Sequence, residues 1–306
     1  MRRFAVVALA AAVSAFVLIA AGGLVRATDS GLGCPDWPLC FGKWMPPADL
    51  HAWIEHAHRL IAGVLVVPLI GVLLVMTLSS RQRRKDRPLL VAVVVAAVLV
   101  VAQALLGAAV VLARLSADLV AAHLAMALSV LAALVFVAER ARNGPMPQGN
   151  MPAPAHLALI TTLVVFTQML VGSWVTGSHA GLAYADFPLM DGRLVPHMTR
   201  QDQAVQFAHR AMSVLVLVMV VWVTIAVWRA AADAVARRLA VALVTLTAVQ
   251  LVLGWLNVMW RLSALSVVPH LAVGTAMFAV AQLMVLRLRR AVPVPERTVV
   301  ASAQGV

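Results

Sequence analysis

Apolar residues run in blocks of about twenty, separated by stretches in which Gly, Pro, Asp and Arg collect. Eight blocks stand out, at roughly 5–25, 54–78, 89–112, 119–138, 155–176, 204–228, 237–259 and 266–286. A helix rises about 1.5 Å per residue and the hydrocarbon core of a bilayer is about 30 Å thick, so each block is long enough to cross. The pattern predicts an all-α polytopic membrane protein with eight transmembrane helices.

The blocks also repeat. Residues 21–40, AGGLVRATDSGLGCPDWPLC, align with 171–190, VGSWVTGSHAGLAYADFPLM, at an offset of 150. They are identical at Gly22/Gly172, Val25/Val175, Gly31/Gly181, Leu32/Leu182, Asp36/Asp186, Pro38/Pro188 and Leu39/Leu189. Ala57-His58-Arg59 returns as Ala208-His209-Arg210. Gln103, Gly107, Arg114-Leu115-Ser116 and His123 return 147 residues later as Gln250, Gly254, Arg261-Leu262-Ser263 and His270. Two tandem four-helix bundles are therefore expected. Each copy has an even number of spans, so both enter the membrane in one orientation, related by a pseudo-two-fold along the membrane normal. The organisation predicted is an N-terminal half at 1–142, a cytoplasmic linker at 143–154, a C-terminal half at 155–290 and a disordered tail at 291–306. Span one follows Met1-Arg2-Arg3 like a leader, but it corresponds to the internal span five, which favours a retained helix.

Composition sharpens this picture. The chain is 63% hydrophobic and 12% charged, which excludes an ordinary soluble domain. Its net charge of +12 is distributed as a topology signal, not as a nucleic-acid footprint. Sixteen of the 24 Lys and Arg, with four acidic residues, lie at the N-terminus, in 79–88, 139–154 and 229–238, and at the C-terminus; the other side balances at eight and eight. The positive-inside rule then puts both termini in the cytoplasm; the membrane expected, a bacterial-type inner membrane, does not follow from charge. The long loops 26–53 and 177–203, rich in Gly, Pro and Asp, face outward. Gly63, Gly71 and Gly107 offer small faces for helix packing within a chain or in a homo-oligomer.

Four histidines recur. His58 and His209 sit early in spans two and six, His123 and His270 early in spans four and eight, with Asp118 expected to cap span four. Ionisable residues at that depth are expensive in a bilayer and point to function. Two helices that each offer one imidazole can clamp an iron porphyrin, and a bundle interior is the usual place for one. Zinc normally takes three or four ligands, so two per half fit haem better. Arg59, Arg210, Arg114 and Arg261 are candidate partners for haem propionates. His51, His56, His156, His179 and His197 do not recur and read as loop or interface residues.

The halves differ in two places. Glu55 shares a helix face with His58, where the second half has Gln206 before His209. A carboxylate can move protons and an amide cannot, which favours chemistry in the first half; the alternative is a structural hydrogen bond from Glu55 to a neighbour. Cys34 and Cys40 lie in the first outer loop, where the second has Tyr184 and Met190. An exported side permits a disulfide, either as a staple or as a redox pair.

Gly22-Gly23-Leu24-Val25-Arg26-Ala27-Thr28, then Ser30 through Cys40, then Glu55-His56-Ala57-His58-Arg59 resemble the haem A synthase family of bacteria and mitochondria, over about residues 4–287. The resemblance implies eight helices in two halves, and oxidation of the methyl at position eight of haem O to a formyl group through a hydroxymethyl haem. It implies that His58 and His123 hold the substrate haem and that His209 and His270 hold a haem b cofactor. It matches the family's essential glutamate to Glu55 and its loop cysteine pair to Cys34 and Cys40. Haem O synthase and cytochrome oxidase assembly factors would be partners, beside haem O, haem A and the lipid bilayer. Some members carry a second cysteine pair; Tyr184 and Met190 depart from it, which excludes a role needing two. The alternatives are a di-haem, quinol-linked electron-transfer cytochrome and a haem carrier. Transporters commonly break helices at the midplane, and no such break shows in these spans.

Overall fold

The computed structural model describes residues 2–147, 149–230 and 232–290. Eight of its helices are long and apolar enough to cross a membrane: α1 Arg2–Ala27, α2 Leu50–Leu78, α3 Arg87–Leu112, α4 Ala117–Asn143, α5 Ala153–Gly177, α6 Gln201–Arg229, α7 Ala234–Met259 and α8 Ala264–Arg290. Eight such helices fit a multi-pass membrane protein, and the apolar residues that remain exposed along them, such as Val64, Val98 and Leu105, suit a lipid surround. Among the described residues there is no β-strand, only isolated bridges between Cys40 and Lys43 and between Met190 and Arg193. The tail expected to be disordered, 291–306, lies outside the described residues.

Helices α1 to α4 close one ring, each packing on the next and α4 returning to α1; α5 to α8 close a second. The rings meet along α1–α8, α4–α5 and α4–α8, so α1, α4, α5 and α8 are inner helices and the others form the flanks. Small residues make the close approaches. A Cβ on Gly23 of α1 would lie 2.8 Å from Leu271 of α8, and one on Gly177 of α5 would lie 2.7 Å from Ala117 of α4. Polar cross-links reinforce the seam: Gln282 donates to Ala132 O at 2.7 Å, and Arg26 to Thr176 O at 3.1 Å.

At the basic end, Asp86 caps α3 and pairs with Arg140 near the end of α4 at 2.6 Å. Asp233 caps α7 and pairs with Arg287 near the end of α8 at 2.5 Å. Each carboxylate satisfies an open helix N-terminus and a cation from the last turn of the neighbour. Arg290 reaches the start of the 143–154 linker, donating to the carbonyls of Asn143, Gly144 and Pro145 and pairing with Glu139.

Two expectations are corrected. Helix α4 begins at Ala117 after Ser116, with Asp118 inside its first turn and not capping it. The residues before it, Arg114 and Leu115, turn the chain with φ of 53° and 63°, as Arg261 and Leu262 do before α8 with 49° and 62°. Gly63 and Gly71 have nothing within 4 Å of a built Cβ and pack against no helix of their own chain, while Gly107 faces His123. Helix α2 is unbroken but passes through a π-helical stretch at Ile61–Val66, beginning three residues after His58; α6 is regular throughout. The wider turn inserts one residue, a distortion frequent near functional sites.

Candidate functional site

The four recurring histidines share one environment. Each ring lies against a glycine of the preceding helix. Built Cβ atoms at Gly22, Gly107, Gly172 and Gly254 would lie 3.2, 3.1, 2.9 and 3.5 Å from Cε1 of His58, His123, His209 and His270. Any larger side chain at the first three would push the ring out of place, so glycine there has a steric cause and not a conformational one. His58 and His123 are within electrostatic reach of each other, as are His209 and His270. The rings are half-buried. Nδ1 of His58, His123 and His270 is enclosed without a hydrogen bond, although the Gln250 backbone carbonyl lies close to His270. With Nδ1 enclosed, the accessible edge of these rings carries the other nitrogen. Among the described residues no three or more His, Cys, Asp or Glu gather at metal-binding spacing. Paired imidazoles seated in glycine cradles between helices suit a flat group ligated from two sides.

The loop above each pair is pinned by one arginine. Arg59 Nη1 donates to the carbonyls of Asp36 and Leu39 at 2.8 Å each, and Nη2 to Cys34 O at 3.2 Å and to Glu55 Oε1 at 2.5 Å. Arg210 repeats this on Asp186 O, Leu189 O and Tyr184 O at 2.8, 2.9 and 3.4 Å. From the sequence these two arginines are expected at propionates; in the structure both guanidinium groups hold loop carbonyls. Arg114 and Arg261 are exposed at their left-handed turns. The leucine after each plugs the loop from below, with Leu115 against Gly31 and Leu262 against Gly181.

Within the loop, Asp36 accepts from the amides of Phe41 and Gly42 at 2.7 Å each, and Asp186 from Asp191 and Gly192 at 2.9 Å each. These donors, that of Gly42 foremost for Asp36 and that of Gly192 for Asp186, hold both carboxyls below the usual carboxylate range. Cys34 and Cys40 are joined in a disulfide and are fully buried. Tyr184 and Met190, 1% and 4% exposed, fill the same positions in the second loop by volume alone.

Glu55 and Gln206 are both 4% exposed and do the same structural work. Cys34 N donates to Glu55 Oε2 at 2.8 Å, and Tyr184 N donates to Gln206 Oε1 at 2.6 Å. The second atom differs: Glu55 Oε1 takes the Arg59 guanidinium, whereas Gln206 Nε2 donates to Gly181 O at 2.7 Å. The first site thus gathers Glu55, Arg59, the disulfide and His58 on one short arc. His56, expected at an interface, is buried, with its ring edge-on to Trp53. His51 contacts Ser30 Oγ at 3.0 Å.

A family profile described as cytochrome oxidase assembly protein matches residues 5–282. The chain belongs to that family. Curated relatives of this cytochrome oxidase assembly family include a heme A synthase of Shouchella clausii, 31% identical over 222 residues, which are 68% of this chain and 72% of the relative. A heme A synthase of Chelativorans sp. is 30% identical over 79% of both chains. One of Parvibaculum lavamentivorans is 29% identical over 90% of this chain and 91% of its own length.

One contact is missed by sequence reasoning. Gln168 of α5 places Nε2 3.2 Å from His209 Nδ1 and 3.1 Å from His209 O. At the offset of 150 its counterpart is Leu18. The one side-chain amide in its span, opposite a leucine in the other copy, is the signal that could have found it.

Proposed function

We propose that this chain is a haem A synthase that oxidises the C8 methyl of haem O to a formyl group through a hydroxymethyl haem, for terminal oxidase assembly. The observation that carries the reading is the two pairs of glycine-seated histidines, in a chain whose relatives are named heme A synthase over most of its length. His58 from α2 and His123 from α4 would hold the substrate haem, and His209 from α6 and His270 from α8 a haem b. When bound, haem b supplies a one-electron relay. The two halves are read as copies in one orientation, with cytoplasmic termini in a bacterial inner membrane and the histidines toward the outer face.

The halves divide the work through Glu55. Its carboxylate is held by Cys34 N–H and by Arg59, and it is the ionisable group nearest in sequence to His58 on their shared helix face. There it takes up a proton or steadies positive charge as the methyl carbon is oxidised. Gln206 keeps the loop contact and cannot take up a proton, so the second half binds without catalysing. The Cys34–Cys40 disulfide shapes the loop that carries the Glu55 contact.

The test is haem extraction, with chromatography and mass analysis, from membranes that co-produce this chain and a haem O source. Formyl or hydroxymethyl haem that appears only with the chain present is the expected result. Recovery of unchanged haem O and haem B alone, from folded protein with a competent electron acceptor, would favour electron transfer or haem carriage.

A further inference from the structure

Among the described residues, Gln168 is the only side chain that brings a hydrogen-bonding group to the ring of one of the four paired histidines. We propose that Gln168 is a positioning residue: its amide fixes the orientation and tautomer of His209, so that the ring meets haem iron through Nε2 while Nδ1–H is held from behind. This rests on the reading of His209 as an axial ligand.

The geometry requires one rearrangement, a half-turn of the amide that gives up the 3.1 Å bond from Gln168 Nε2 to His209 O. Gln168 Nε2 lies 3.2 Å from Nδ1, while its Oε1 is buried without any partner. A primary amide presents a donor at one corner and an acceptor at the other, and a half-turn about its last bond exchanges them. With the ring free, Nε2 donates to a bare Nδ1. With the ring ligating through Nε2, the proton belongs on Nδ1, and the turned amide accepts it on Oε1, which then gains the partner it lacks. An acceptor on the far nitrogen of a ligating imidazole orients the ring and raises its basicity.

The first half lacks this support. Leu18 occupies the corresponding place on α1 and has no polar atom, and His58 Nδ1 is left bare. Its helix also passes through the π-helical stretch at Ile61–Val66. The braced ring stands on a regular helix and the unbraced ring on a distorted one. That is the difference expected between a site that keeps its haem and a site that exchanges substrate for product.

The experiment compares Gln168→Leu, Gln168→Glu and His209→Ala in the full-length protein purified with its haem. The readouts are haem b retained through detergent washing, the midpoint potential of that haem and its low-spin ferric electron paramagnetic resonance signal. Gln168→Leu should weaken haem retention by about ten- to a hundred-fold and raise the potential, because an unbraced imidazole stabilises ferric iron less. Gln168→Glu should restore retention and bring the potential below that of the parent, since a carboxylate accepts more strongly from Nδ1–H. Retention, potential and resonance signal unchanged in Gln168→Leu overturn the proposal. If that variant does not fold, Gln168→Glu decides: a lowered potential supports the brace and an unchanged one overturns it. Loss of haem b in His209→Ala beside an unaltered Gln168→Leu removes only the brace; haem b intact in His209→Ala removes the ligand assignment beneath it.

Discussion

The backbone N–H of Cys34 donates to Oε2 of Glu55 at 2.8 Å, so the disulfide loop and the one carboxylate beside the first histidine pair are a single unit. Gln206 shows that an amide can hold the equivalent loop N–H, that of Tyr184, at 2.6 Å. Glu55→Gln is therefore expected to fold and to keep its haem. Its formation of formyl haem should fall by about 10²–10⁴, the usual range for a lost acid–base group. Glu55→Ala should in addition leave a buried N–H without an acceptor, at a cost of about 1–3 kcal/mol visible as a lowered melting temperature. Haem A produced at the parent rate by Glu55→Gln would exclude the proton role.

The two arginine clamps make a second prediction. Arg59 and Arg210 bridge matching carbonyls, but only the first loop is also closed by a disulfide. Arg210→Ala should open loop 177–200 to limited proteolysis, whereas Arg59→Ala should leave loop 28–49 closed until the disulfide is reduced. Lysine should rescue neither fully, because a point charge cannot span carbonyls that the guanidinium fork bridges. Equal cleavage of the two loops in oxidised protein would show that the disulfide does not share this work.

Much of this arrangement is legible in the chain itself, and for physical reasons. Bilayer thickness fixes the length of each apolar block, so the eight helices follow from hydropathy. Duplication exposes His58, His123, His209 and His270, because an incidental histidine has no cause to return at the same place twice. The roles of Arg59 and Gln168 are not legible. A basic residue beside a recurring histidine suits a propionate and a loop carbonyl equally, and only the path of the loop shows the carbonyl contacts. Gln168 contacts a residue 41 positions away across a helix pair. The π-helical stretch at Ile61–Val66 does have a marker: Pro68, just beyond it, lacks the N–H that a regular helix would bond to the Val64 carbonyl.

The glycine cradles can be graded by distance. A Cβ at position 172 would fall 2.9 Å from His209 Cε1, closer than side chains tolerate, whereas one at 254 would fall at 3.5 Å from His270, an ordinary contact. Gly172→Ala should displace His209 and deplete haem b in purified protein, and Gly254→Ala should leave it near the parent level. Gly63→Ala, with nothing within 4 Å, serves as the control and should leave haem content unchanged while raising stability slightly, as alanine does for glycine inside a helix. Haem content that ignored this order would separate the glycines from ring placement.

The outer loops should also respond to acid in a defined direction. Asp36 is held below the usual carboxylate range chiefly by the Gly42 amide, and then by that of Phe41, so the folded loop favours its ionised form. A depressed folded-state pKa contributes stability that is fully present above the unfolded value, about 3.9 for Asp, and is lost as pH falls through the lower folded value. Amide exchange at Phe41 and Gly42, corrected for the intrinsic rate, should therefore stay protected from neutral pH down to about 4 and lose protection below that. Asp186 should protect Asp191 and Gly192 in the same way, without help from a disulfide. Asp36→Asn keeps one acceptor oxygen and no titrating charge, so its weaker protection should not change across that acid range. If the parent loop instead lost protection above pH 5, another group would control it and the Asp36 contacts would be incidental.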